Sequence, residues 1–190
     1  MDKTIKIFLR ISIALGFLSA VADRFGLWNT EISVWGSWDP FLEYTQIINP
    51  WFPNSMISII AIFATVAEIV FALCLIVGFK TELFAKLSGF LLLLFALSMT
   101  FSTGIKGAFD FSVFSASAGA FALAFILFFN FSQRKLLAEK TKQQEILLHN
   151  IIATQEQERK RIARDLHDGV GQSLLLMKKQ LVATHEVTQA

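Results

Sequence analysis

His167 and Asp168 stand side by side near the end of this 190-residue chain, in the run Glu156-Gln157-Glu158-Arg159-Lys160-Arg161-Ile162-Ala163-Arg164-Asp165-Leu166-His167-Asp168-Gly169-Val170-Gly171-Gln172. A neutral imidazole is a nucleophile, and a carboxylate beside it can orient the ring or take its proton. Set on a long amphipathic helix, that pair is what a phosphoryl acceptor requires. The plain alternative is a charged coiled-coil face with an incidental histidine.

The element that must carry this pair is a helix. From Gln133 the chain has no proline and no glycine until Gly169, and it is rich in Lys, Glu, Gln and Leu. Such a composition predicts one long helix continuing from the apolar segment before it. Leu148, Ile152, Ile162, Leu166, Val170, Leu174, Met177 and Leu181 fall at spacings of three and four, a narrow seam for another helix. An unbroken polar octet, residues 154–161, interrupts that seam. His149 and His185 read as surface or seam residues.

Everything upstream has a different character. The chain is 54% hydrophobic and only 17% charged, which excludes an ordinary water-soluble globular domain. The phenylalanines all lie between Phe8 and Phe131, whereas Lys and Arg concentrate from Arg134 onward. Residues 7–27, 56–78, 83–101 and 109–131 are each apolar and long enough to cross about 30 Å of hydrocarbon. The predicted fold is therefore all-α: a four-helix transmembrane bundle with a long C-terminal cytoplasmic helix.

Lys3, Lys6 and Arg10 precede the first span, Lys80 and Lys86 flank the second turn, and Arg134 and Lys135 follow the fourth span. No Lys or Arg lies between Glu31 and Phe52. The positive-inside rule then places both termini in the cytoplasm, and the expected location is a bacterial inner membrane. Basic residues, an apolar stretch and Ala20-Val21-Ala22 also fit a cleavable signal peptide. Arg10 within the apolar region, and the small-residue stripe Ser12, Gly16 and Ala20, favour a retained span. Ser115/Gly119 and Ala116/Ala120 offer similar packing positions on the fourth.

Three features of the body bear on function. All four tryptophans, Trp28, Trp35, Trp38 and Trp51, lie in the outer connection; they read as an interfacial anchor or as the rim of an outward-facing site. Glu68 is the intramembrane polar candidate, because a lone carboxylate in a span must be protonated, paired or facing a polar cavity. Arg10, snorkelling inward, and nearby Ser or Thr hydroxyls are its candidate partners, while Asp23-Arg24 reads as a marker of the interface. Cys74, the single cysteine, excludes an intrachain disulfide or a C-x-x-C pair and reads as a small buried hydrophobe.

Other chemistries find no support. The net charge of +2, with no basic patch interleaved with aromatics, argues against nucleic acid. The three histidines are too scattered for a metal site, and no glycine-rich phosphate loop is present. No cofactor is expected within the chain.

The run around His167 closely resembles the phosphoacceptor helix of bacterial sensor histidine kinases of the nitrate/nitrite-sensor branch, with its pattern E-x-E-R-x-R-I-A-R-[DE]-L-H-[DE]. The resemblance covers about residues 150–185. It implies His167 as phosphoacceptor, Asp168 as its acid/base partner, and Gln172 as the end of the Asp-x-x-x-Gln pattern that such proteins use to dephosphorylate a response regulator. It also implies a second helix and an ATP-binding domain, of which these 190 residues show no sign. ATP and Mg²⁺ are then expected only from a partner kinase domain, with no self-phosphorylation by the chain alone.

The body, about residues 5–130, resembles the DoxX family of small four-helix bacterial membrane proteins. The motifs that carry this are Leu18-Ser19-Ala20-Val21-Ala22-Asp23-Arg24-Phe25-Gly26, Asn49-Pro50-Trp51-Phe52-Pro53, Ala67-Glu68-Ile69 followed by Gly78, and Gly104-Ile105-Lys106 before Asp110-Phe111-Ser112. Some members are linked to quinone-coupled sulfur oxidation or redox homeostasis; a single cysteine gives no footing for dithiol chemistry here. The expected organisation is a DoxX-like membrane domain over 1–132, a linker or coiled-coil helix over 133–153, and a partial dimerisation and phosphoacceptor helix over 154–190.

The leading expectation is a membrane-anchored two-component signalling protein or truncated sensor histidine kinase, with His167 as its phosphoacceptor. Its expected partners are the lipid bilayer, a second copy or a related kinase paired through the tail, and a response regulator. Two other readings stay open: a DoxX-like redox or quinone-associated subunit whose tail docks a partner, and a transporter-like bundle using Glu68.

Overall fold

The computed structural model describes residues 3–188. Six helices follow in order: α1 (Lys3–Arg24), α2 (Trp38–Ile48), α3 (Asn54–Val77), α4 (Thr81–Thr103), α5 (Ile105–Asp110) and α6 (Val113–Thr188). There is no strand among the described residues. The chain divides into two compact units, Met1–Ser132 and Gln133–Ala190. The fold is all-α, and α1, α3, α4 and α6 are each long and apolar enough to cross a membrane.

Local sequence sets the breaks. Gly78 ends α3 in the left-handed region, at φ 87°, and both its N–H and that of Phe79 close onto the Cys74 carbonyl. Glycine takes that conformation without the steric penalty a Cβ brings. Pro53 precedes α3 at φ −63°, where its missing N–H costs nothing. Between α5 and α6, Ser112 turns the chain at φ 54°.

Small residues bring the helices of the first unit together. Ala14 and Phe17 of α1, Ala72 and Leu75 of α3, Ala85 of α4, and Leu123 and Ala124 of α6 form one buried cluster. A second joins Ile48, Ala96, Met99 and Ala108, flanked by Tyr44, Val113 and Phe114. Gly89 faces the Phe121 ring so closely that a Cβ there would lie 3.0 Å from it, and Ser117 donates to the Gly89 carbonyl at 2.8 Å. The outside of the unit is equally apolar: Phe8, Leu15, Phe63, Phe90, Leu94 and Phe125 are all exposed. Water would not tolerate that surface, and hydrocarbon solvates it.

Two packing expectations are corrected. Ser12 and Gly16 face outward, with nothing within 4 Å of a Cβ built at Gly16; Gly119 is similarly open, although Ala120 is buried. The buried stripe of α1 is Ala14, Phe17, Val21 and Arg24 instead. Cys74, expected to be buried, is partly exposed.

Candidate functional site

In the second unit, α6 carries His167 with its imidazole 90% exposed and Asp168 with its carboxylate 77% exposed. Their Nδ1 and Oδ1 atoms are 3.5 Å apart, at the outer limit of a hydrogen bond. When Nδ1 carries the proton toward Asp168, Nε2 presents its lone pair to solvent. Gln172 is also exposed; four residues beyond Asp168, it lies one turn along the same face, about 6 Å up the axis. Asp168 and Gln172 thus share one open flank of the helix, and His167 lies about 100° around from Asp168.

The apolar seam lies beside that flank. Ile162, Leu166, Val170, Leu174 and Met177 are all exposed, as are Leu148 and Ile152. His167 follows Leu166 by 100° and sits about 60° from Val170 around the helix. A helix packed on the seam would therefore leave His167 at its rim, open to a reactant. Flanking charges are locally satisfied: Arg161 pairs with Glu158 at 2.6 Å, and Arg164 Nε donates to the Lys160 carbonyl at 3.4 Å. The side chains of Leu181 and His185 lie outside those described.

The first unit holds a second polar constellation that the sequence only half announced. Glu68 is 1% exposed and Arg24 3% exposed. Arg24 Nη2 donates to Glu68 Oε1 at 2.9 Å, and Nη1 donates to Thr65 Oγ1 at 2.7 Å. Glu68 Oε2 lies 2.7 Å from Nη1, within ion-pair distance but off the hydrogen-bond axis. Thr65 in turn donates to the Ala61 carbonyl at 2.8 Å, so its hydroxyl is used in both directions. The guanidinium carbon sits 4.0 Å from the centroid of Phe41 and 5.5 Å from that of Trp35, where the electron-rich ring faces stabilise a desolvated cation.

Asp23, the neighbouring residue, fastens the connection between α1 and α2. Its carboxylate accepts the Ser33 hydroxyl and the backbone N–H groups of Val34 and Trp35, the last two at 3.0 Å each. The chain can double back there because Gly26 lies at φ 68°, and a Cβ on it would meet the Gly36 carbonyl oxygen at 2.9 Å. Trp35, Phe41 and Tyr44 then pack together. Burial pushes the Tyr44 phenol above its ordinary value and keeps it neutral. Trp28 and Trp51 remain exposed, whereas Trp35 and Trp38 are half-buried among the aromatic rings.

These contacts overturn one expectation. Arg10 does not reach Glu68; its Nε and Nη2 donate to the carbonyls of Leu75 and Ile76 at 2.9 and 3.1 Å, capping the C-terminal end of α3. Asp23 and Arg24, at the end of α1, are both buried and hydrogen-bonded within the first unit. A signal for Arg24 was present: residues 10, 14, 17, 21 and 24 follow one heptad stripe, which puts Arg24 on the packing face.

The tail thus presents an exposed His–Asp pair on an amphipathic helix. In agreement, residues 158–190 match the family model HisKA_3, described as histidine kinase, which supports a signalling role of that type for the tail. No curated protein and no solved structure matches the chain.

Proposed function

We propose that the chain is a membrane-anchored two-component signalling protein in which His167 accepts a phosphoryl group. The observation that carries this reading is the open His167–Asp168 pair inside the segment that matches the histidine kinase family. In the reaction, His167 Nε2 attacks the γ-phosphorus of ATP held by a kinase domain outside these 190 residues. The N–P bond forms as the bond from phosphorus to the β–γ bridging oxygen breaks, and ADP leaves with that electron pair. Asp168 orients the ring and takes or shares the Nδ1 proton as the imidazole becomes cationic. Mg²⁺ and the charge-stabilising groups around the phosphates come with that domain. Gln172, one turn from Asp168, is placed to position water when a phosphorylated response regulator docks on the same flank.

Residues 5–130 act in this reading as a DoxX-like anchoring or sensing module of the bacterial inner membrane, with both termini cytoplasmic. One observation in favour of the resemblance is that Arg24 of one motif and Glu68 of another meet at 2.9 Å. A second reading rests on the same constellation. A DoxX-like redox or quinone-associated subunit would use the buried Arg24–Glu68 pair and its aromatic surround, with the tail as a docking arm.

The deciding experiment is phosphoryl transfer. The purified 190-residue protein should not label itself from γ-labelled ATP, and a related intact kinase should label it in trans through paired tail helices. The label should vanish in His167→Gln and persist in His149→Gln. Labelling that survives His167→Gln would remove the proposed role.

A further inference from the structure

The buried stripe of α1 continues past the point where its partner ends. Lys3, Lys6 and Arg10 precede Ala14, Phe17 and Val21 at spacings of three and four, so all six lie on the face that packs against α3. Arg10 uses the last α3 carbonyls, those of Leu75 and Ile76. Lys6 stands one turn, about 6 Å, further along α1, beyond the end of α3 at Val77. There the chain turns through Gly78 into Lys80, itself left-handed at φ 38° and exposed.

Among the described residues no carboxylate lies within ion-pair distance of Lys3, Lys6, Arg10 or Lys80, and Glu82 in the same turn is used by Lys86 at 2.7 Å. The charges are also interleaved with exposed apolar side chains: Ile5, Ile7 and Phe8 on α1, and Phe79, over whose ring Lys80 Nζ sits at 5.7 Å. A site with cations at the end of an apolar span and hydrophobic flanks below it matches an amphiphile with an anionic head.

The geometry points to a binding site for an acidic phospholipid at this end of the bundle. Lys6, Lys80 and the free edge of Arg10 take its phosphate, and Ile7, Phe8 and Phe79 lie against its acyl chains. Long lysine stems allow the ammonium groups to reach the headgroup plane while their methylenes stay on apolar surface. Basic pockets between spans at a membrane surface recognise anionic headgroups in this way. Lys3 adds to the attraction from one turn further out.

The test uses the full chain in nanodiscs of phosphatidylcholine alone or with phosphatidylglycerol, reading the thermal midpoint and the lipids retained in native mass spectrometry. Phosphatidylglycerol should be retained preferentially and should raise the midpoint. Its affinity should fall about fivefold for each lysine removed in Lys6→Gln and Lys80→Gln, and stay unchanged in Lys140→Gln/Lys142→Gln. Inorganic phosphate added to phosphatidylcholine discs should do nothing. Unchanged retention in Lys6→Gln/Lys80→Gln overturns the site, as does the same stabilisation by inorganic phosphate. A lower midpoint of that variant in pure phosphatidylcholine assigns the lysines to the fold and also overturns it.

Discussion

Arg24 and Glu68 lie 44 residues apart in sequence and 2.9 Å apart in the fold, and both are buried. A carboxylate in the middle of an apolar helix is thereby matched by a guanidinium from the end of another. Neither residue could hold its charge there alone, because the surrounding medium does not solvate it. The pair also selects the register of α1 against α3, since a slip of either helix separates the two groups.

Removing one partner should be more damaging than exchanging both. Glu68→Lys sets two cations together and should abolish accumulation in the membrane. Glu68→Gln keeps an acceptor for Arg24 but leaves its charge unmatched, and should lower stability by about 3 kcal/mol. The exchange Arg24→Glu/Glu68→Arg should recover part of the loss. Thermal unfolding in detergent, with quantified expression, reads all three; equal near-wild-type behaviour of Glu68→Lys would place Glu68 in water.

Asp168 and Gln172 should separate two activities. With an intact kinase supplying the phosphoryl group, Asp168→Asn should slow labelling of His167 by about 10²-fold or more, the scale of a positioned acid/base group. Gln172→Ala should leave labelling intact while prolonging the lifetime of the phosphorylated regulator. A timed phosphotransfer assay checks both, and an Asp168→Asn rate equal to wild type would contradict the assigned role.

Labelling from outside the cell tests the topology. In a Cys74→Ala background, a cysteine at Ser37 should react with a membrane-impermeant maleimide, and one at Gln144 should not. Both positions are exposed in the fold, so reactivity reports sidedness rather than burial. The reverse pattern would invert the orientation deduced from Lys and Arg.

The first helix should remain in the mature protein. Cleavage after Ala22 would remove Ala14 and Phe17 from the main apolar cluster and the Arg10 cap from α3. An epitope placed at the N-terminus should therefore stay on the membrane-embedded chain in immunoblots. Its loss to a short fragment would show that α3, α4 and α6 pack without α1.

What could be read from the sequence was what is local. Four spans follow from runs of apolar residues, and the tail helix follows from a long stretch without Pro or Gly. His167 stands in a contiguous motif, so recognising it needed no contact across the fold. Glu68 was recognisable as an anomaly, but its partner was not, because hydropathy reports how deep a residue lies and not which helix faces it. Arg10 seemed the nearer cation; the antiparallel run of α1 along α3 instead puts Arg10 beside Leu75 and Arg24 beside Thr65. The small stripe of Ser12, Gly16 and Ala20 misled for a related reason, since small residues permit close approach without specifying a neighbour.

Asp23 and Arg24 finish their contacts at different moments of synthesis. Asp23 needs only residues 33–35, which follow within about a dozen positions, so this connection can close as soon as it emerges. Arg24 must wait for Glu68, 44 residues later, on the order of a few seconds at ribosomal speed. Synthesis thus orders these contacts: the local one can form first, and the long-range pair only after α3 has been made.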